Sequence, residues 1–473
     1  MKPAKPHITL WALPALLALA ACQTNVRARM PDALQRSRPA PASDQPAGFP
    51  PPATPAQPSA NDGSTLDLAG LIRMAARQNP RLAAARSRWL AARERPTQAR
   101  ALPDPMLTYT EMLEPIQTRV GPLERSLQLT QPIPFPGKLS AAGSVATEQA
   151  RVKELEYHIA LRDVVAEVKV SYAELVYLDR AIEIVEQNQK LARLLSEKAA
   201  AAYAKQEGEK QDTLTLFDTL KAQSSLAQLA YDKITLEELR KAEDVKINSL
   251  LSRRPEWSVG KPQPLVFQPL EASQEDLFRI ARARRQEIQA AVHKIRGARH
   301  ASRLARLSQV PDFSIGVQYS FIGDAAGPVS GSGDDAVGLR LGVSLPIWGH
   351  KNRAKQAEAC FLERAARHEK RAVTDEVMAR ISKVYFRLQN ADRLVRLYDG
   401  SLIPQAEQAL KIAEQWHDTG RDTYGRLLEA RMVWLNFQLA SQRALVDYEQ
   451  AVARLEQLVG ISLGHLRTVG DKK

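Results

Sequence analysis

"FSIGVQYS", residues Phe313 to Ser320, alternates large apolar side chains with small or polar ones, in a chain whose other apolar positions mostly recur at helical spacing. A strict period of two belongs to an extended strand, whose successive side chains face opposite sides. Phe313, Ile315, Val317, Tyr319 and Phe321 fall on one side; Ser314, Gly316, Gln318 and Ser320 fall on the other. Residues 336–345 repeat the pattern, with Val337, Leu339, Leu341, Val343 and Leu345 opposite Gly338, Arg340, Gly342 and Ser344. The Gly/Ser-rich "GDAAGPVSGSGDD" from Gly323 reads as the connecting loop.

A half-buried strand of a soluble sheet alternates in the same way. Here, however, the apolar side carries no charge, and each run is close to the nine to eleven or so residues of a tilted bilayer crossing. The lipid-facing set is therefore expected to be Phe313, Ile315, Val317, Tyr319, Leu339, Leu341 and Val343, with Tyr319 and Phe321 in an interfacial aromatic girdle. Two weaker strands are expected at about 105–113 and 124–131, the first broken on one face by Glu111.

Outward from these strands the chain repeats itself at roughly 210 residues. "NPRLAAARSRWLAARERPTQARALPDPMLTYT" from Asn79 answers "QEIQAAVHKIRGARHASRLARLSQVPDFSIGVQYS" from Gln286, both ending a helix at a Pro-Asp pair, Pro103-Asp104 and Pro311-Asp312. "LQLTQPIPFPGK" from Leu127 answers "LRLGVSLPIWGHK" from Leu339, strands that stop at Pro-Ile and a later Gly. Tyr172 then matches Tyr385, Asp179-Arg180 matches Asp392-Arg393, and turns are expected at Gly208 and Gly420.

The fold class that follows is mainly α with a small β part, on a duplicated helix, strand, strand, helix, helix plan. The repeats occupy 64–260 and 272–463, before a short tail at 464–473. A helix from about Leu139 to Ala204 would be on the order of 100 Å long. Its stripe of Leu155, Ile159, Val165, Val168, Tyr172, Leu175, Ile182 and Val185 needs helical neighbours. In the second repeat Gly400 and Pro404 predict a kink or break.

At the start, Lys2 and Lys5 precede an apolar run from Ile8 to Ala20, the layout of a secretory signal at 1–21. Leu19-Ala20-Ala21-Cys22 resembles the bacterial lipoprotein signal, which implies lipidation of Cys22, and Gln23 after it implies passage to the outer membrane. Residues 22–63 are rich in Pro and Ala and read as a tether. With Cys360 the one later cysteine, no intramolecular disulfide forms in the mature chain, and Cys360 is expected to pack within a helix. The net charge of +13 is spread among nearly as many acids, a solvated surface with no nucleic-acid stripe.

Four strands cannot close a barrel, and open sheet edges are not tolerated in lipid. The chain must therefore oligomerise; two copies would give eight strands and three would give twelve.

The lipid-box cysteine, the duplicated plan, the "QPIPFPGK" corner at Gln131 to Lys138 and the paired turns at Gly208 and Gly420 together resemble the TolC-like outer membrane efflux family. The resemblance implies a homotrimer in outer membrane lipid, with a twelve-stranded transmembrane β-barrel and a long α-helical barrel through the periplasm. It also implies two partners, a periplasmic adaptor (membrane fusion protein) and an inner-membrane pump of the resistance-nodulation-division type, and no reaction in the channel itself. The family's periplasmic gate lies beside the tip turns, which implies gate roles for Asp212, Asp218, Arg421, Asp422, Tyr424, Arg426 and Glu429. The Pro-Phe-Pro-Gly-Lys corner looks like members serving heavy-metal or cation pumps; multidrug and type I protein-secretion channels share the architecture.

No cofactor or resident metal is expected. His293 and His300 share a helical face but stand among Lys294, Arg296 and Arg299, and no phosphate loop, zinc motif or nucleophile with its base is present. A structural coiled-coil lipoprotein is the rival from another class, although it would not need four membrane-length strands.

Overall fold

The computed structural model describes residues 67–204, 213–418 and 424–467. The signal at 1–21, Cys22, the tether, Gly208, Gly420, Asp212, Arg421, Asp422 and the end of the tail lie outside the described residues.

In the first repeat, α1 (Leu68–Gln78) and α2 (Pro80–Arg100) lead into β1 (Met106–Thr118) and β2 (Gly121–Ile133), followed by α3 (Pro136–Ala204) and α4 (Thr213–Leu250). In the second, α5 (Gln274–Arg284) and α6 (Gln286–Leu307) lead into β3 (Asp312–Ile322) and β4 (Ala336–Ser344). They are followed by α7 (Gly349–Leu397), α8 (Ile403–Asp418) and α9 (Tyr424–Val459). The duplication read from the sequence is thus the order of the elements.

The helix breaks between α1 and α2 and between α5 and α6 sit at equivalent places and do equivalent work. Asn79 is 3 % exposed; its side-chain Oδ1 accepts from the Arg81 N–H at 2.9 Å, capping α2, while its Nδ2 donates at 2.9 Å to the Leu250 carbonyl that ends α4. Arg285 is buried likewise and donates to the carbonyls of Gln457 and Leu458 near the end of α9. Both satisfy carbonyls that a helix end leaves without intrahelical partners.

Each repeat has its own core. Leu71, Ala75 and Leu82 meet Val164, Val168, Tyr172, Leu175, Ile247 and Leu251 in the first. Leu277 and Ala281 meet Val377, Ile381, Leu388, Tyr448 and Leu455 in the second. A further cluster of Ile184, Val185, Leu229 and Leu435 joins the two helix pairs. Of the expected stripe on α3, Val168, Tyr172, Leu175 and Val185 are buried, whereas Leu155, Ile159, Val165 and Ile182 are half-buried. Helices pack on more than one side of α3, so its buried line widens to include Val164 and Ile184.

At Gly400 the chain does not break. It passes through one π-helical turn, Tyr398–Leu402, before Pro404, the insertion by which a helix absorbs such residues. Cys360 is exposed, which corrects the packing role expected of it; Phe361 and Leu362 beside it are exposed too, on a face of α7 that nothing in this chain covers.

Candidate membrane sheet and periplasmic gate

The four strands form one antiparallel sheet in the order β1-β2-β3-β4, so the two repeats meet at the β2–β3 seam. Pairing aligns the side chains into rows across all four strands. On one face run Leu107, Leu129, Val317, Leu339 and, in the next row, Tyr109, Leu127, Tyr319, Val337. On the opposite face run Thr108, Gln128, Gln318, Gly338 and then Thr110, Ser126, Ser320, Ala336. The alternation seen in one strand is therefore a property of the whole sheet.

The apolar face is bare in the single chain. Phe313, Ile315, Val317, Tyr319, Leu339, Leu341 and Val343 are all exposed, up to 76 % at Leu341, while Ser314, Gln318 and Ser320 are half-buried and Gly316 is buried. An antiparallel sheet in water would bury the opposite set. Among the described residues no helix is long and apolar enough to cross a membrane.

The first hairpin is longer than the sequence suggested: pairing resumes at Ile116–Leu123 and reaches Thr118–Gly121, beyond a register shift that follows Glu111. Glu111 stands opposite Arg125 on the apolar face and accepts from the Tyr109 hydroxyl, while the Arg125 guanidinium lies 4.9 Å from the centre of the Phe321 ring. Tyr319 and Phe321 stack edge to face at 4.8 Å beside them, at the end of the sheet remote from the helices. Charge and aromatic rings thus share one band, the composition of a membrane interface. The β1–β2 turn is tight, and Gly121 takes a φ of +133°, which a side chain would oppose.

The "QPIPFPGK" corner has a mechanical role. Lys138 Nζ donates to Asp312 Oδ1 at 2.8 Å and to the Val310 carbonyl at 2.7 Å, and the Phe135 N–H donates to the same carboxylate oxygen at 2.9 Å. The corner of the first repeat is thereby tied to the Pro-Asp pair of the second.

Further along the helices, Asp218 lies in α4 and Tyr424 opens α9. Arg426 and Glu429 are exposed on α9. Glu429 comes within 3.9 Å of Lys221 on α4. Nearby, Arg431 donates from Nε to Asn188 Oδ1 of α3 at 3.1 Å, lies 3.8 Å from Glu414 of α8 and sits over the Trp434 ring at 4.8 Å. Burial lowers the pKa of its guanidinium, and Glu414 partly offsets that. Lys221, Asn188, Glu414 and Arg431 were not legible as a set, since the Arg431–Asn188 pair is 243 residues apart in the chain.

His293 Nδ1 lies 2.7 Å from Glu148 Oε2, a contact between α6 and α3. Among the described residues no group of three or more His, Cys, Asp or Glu side chains could hold a metal ion.

Several solved outer membrane proteins share this fold. VceC from Vibrio cholerae superposes with a TM-score of 0.68 at 21% identity, covering 84% of this chain and 96% of VceC. The open state of the MtrE outer membrane channel from Neisseria gonorrhoeae gives 0.66 at 16% identity, covering 84% and 89% of the two chains. CusC gives 0.68 at 14% identity, covering 84% and 92%. No curated protein sequence matches significantly. The outer membrane efflux protein family, by contrast, matches residues 71–251 and 277–461, one stretch in each repeat, and these stretches hold the sheet and both helix pairs. The chain belongs to the outer membrane efflux protein family, as a channel of the outer membrane and not an enzyme.

Proposed function

We propose that three copies of this chain close a twelve-stranded barrel in the outer membrane and form a passive exit duct, with substrate and energy supplied by an inner-membrane pump through a periplasmic adaptor. The observation that carries this reading is the sheet: a largely exposed apolar face, a polar face behind it, and free edges at β1 and β4. Each unpaired backbone group would cost several kcal/mol in lipid, so the edges require partners. Exposed apolar side chains away from the sheet support the same reading. Tyr231 and Ile234 on α4 and Phe361, Leu362 and Phe386 on α7 would be covered by neighbouring copies.

The periplasmic end would be held shut by weak polar links between the helix pairs, Lys221–Glu429 and the Arg431 cluster among them, together with the gate set that the resemblance implies, Asp212, Asp218, Arg421, Asp422, Tyr424 and Arg426. Exposed ion pairs are worth about 1 kcal/mol or less, so a docking adaptor could release them. A lipid on Cys22 would tether each copy to the inner leaflet.

The cargo is a separate question. The corner that resembles heavy-metal efflux members ties Lys138 to Asp312, a structural role that does not identify the cargo. The test has two parts: the purified protein should run as a heat-modifiable trimer in detergent, and a deletion strain should become sensitive to the exported class. Sensitivity to metal salts alone would support metal efflux; sensitivity to dyes, detergents and antibiotics alone would support multidrug efflux. Loss of a secreted protein with neither sensitivity would support type I secretion, and a monomer in detergent would overturn the duct.

A further inference from the structure

The polar face of the sheet carries one charge in its middle. Arg340 is the fifth of nine residues of β4, in the row Met106, Thr130, Gly316, Arg340. From the row Pro132, Ser314, Gly342 to the row Thr110, Ser126, Ser320, Ala336, every other side chain on that face is uncharged. Its same-face neighbours along β4 are Gly338 and Gly342, and across the hairpin it faces Gly316 of β3. A Cβ at Gly338 would meet nothing within 4 Å. Glycine on three sides leaves the one long side chain of this strand face free to extend, and Arg340 is exposed without an acidic partner among the described residues.

We infer that Arg340 sets the ionic preference of the duct: three copies line the barrel at one level and favour anions over free metal cations. The inference rests on the trimeric reading above. A twelve-stranded barrel with strands about 4.8 Å apart and tilted about 40° has a backbone radius of roughly 12 Å. An extended arginine takes up about half of that radius, so the axis lies within about one Debye length, ~8 Å at physiological ionic strength, of all three guanidinium groups. Rings of Arg or Lys are the lining that selects anions. Towards the loop end the next acid on this face, Glu124, lies beyond the Ser126 row beside Gly323 of the β3–β4 loop. Asp312, at the helix end, is held by Lys138.

The experiment measures reversal potentials of the purified trimer in planar bilayers under a KCl gradient. Wild type and Arg340→Lys should prefer chloride, Arg340→Gln should move the chloride-to-potassium permeability ratio towards one, and Arg340→Glu should invert it; Glu124→Gln should change it less. In parallel, in a Cys360→Ser background, Arg340→Cys should react with a membrane-impermeant maleimide in intact cells, while Leu339→Cys and Leu341→Cys should not. A trimer whose permeability ratio is the same with Glu at 340, or a labelling pattern reversed between 340 and its neighbours, overturns the role of Arg340 and leaves the duct standing. A protein that forms no trimer overturns the duct itself.

Discussion

Lys138 Nζ sits 2.8 Å from Asp312 Oδ1 and thereby joins the corner that ends the first hairpin to the residue that begins the second. The same carboxylate oxygen accepts from the Phe135 N–H, so one side chain fixes the exit of β2 against the entry of β3, where Ile133 pairs with Phe313. Hydrogen bonds to a charged group are worth about 1.5–3 kcal/mol, and this one is protected by a Lys138 side chain only 16 % exposed. Asp312→Ala should therefore lower the temperature at which the detergent-resistant assembly dissociates, and Asp312→Asn should lower it less, since an amide oxygen still accepts from Phe135. Equal dissociation temperatures for wild type and Asp312→Ala would remove the corner from the stability of the sheet.

A second bond between repeats makes stability depend on pH. Glu287 on α6 accepts from Arg162 of α3 at 2.7 and 2.8 Å and lies 3.1 Å from Arg285. Burial by itself raises the Glu287 pKa, but the Arg162 hydrogen bonds and the two positive charges outweigh it and hold it below the ordinary 4.5. A carboxylate with a depressed pKa contributes stability that is full above its unfolded value and is lost as pH falls through the folded value. Glu287→Gln should cost on the order of 2 kcal/mol at pH 7, and the gap to wild type should close as the pH is taken well below 4.5. Thermal melts at the two pH values check this; a gap that persists in acid would show that the mutation acts through packing.

How far the sequence could be read depended on whether a structural role needs a particular side-chain type in a pattern. Alternation in 313–320 and 337–344 required only apolar and small or polar classes, and the sheet faces follow it residue by residue. Glu111 misled, because its acceptability rests on Arg125 across the strand and Tyr109 two residues away, a pairing visible only once the register is known. Asn79 and Arg285 hold the same helix ends in the two repeats with unrelated chemistry, so self-similarity could not find them. The Arg431 cluster is assembled from α3, α8 and α9, and no local spacing marks it.

That cluster carries the gate prediction. Lys221 and Glu429 are 39 % and 70 % exposed at 3.9 Å, so their link is weak; Arg431, at 21 % side-chain exposure and bonded to Asn188, should hold the helix pairs more firmly. Glu429→Lys should raise single-channel conductance modestly, and adding Lys221→Glu should bring it back. Arg431→Ala should raise it more than either, and Arg421→Ala with Arg426→Ala should also raise it. Conductance unchanged in Arg431→Ala would place this cluster outside the gate.

The two hairpins also predict the join between neighbouring copies. Superposing them on their Pro-Asp starts and on Gly137 and Gly349 carries the pair Met106–Thr130 onto Ser314–Gly342 and Leu107–Leu129 onto Ile315–Leu341, pairs that the second hairpin in fact makes. The same shift applied to the β2–β3 seam carries Leu129–Val317 onto Leu341 and Tyr109 of the next copy, both on the apolar face. It also brings His350 and Lys351 towards Asp104 of that copy, in the place of Lys138 and Asp312. In a Cys360→Ser background, Leu341→Cys with Tyr109→Cys should oxidise to a covalent trimer on a non-reducing gel. The shifted pair Leu339→Cys with Tyr109→Cys should not, because two residues displace it by roughly 7 Å, beyond the reach of a disulfide. Efficient cross-linking of the shifted pair would show that the seam inside one chain is not the pattern for the seam between chains.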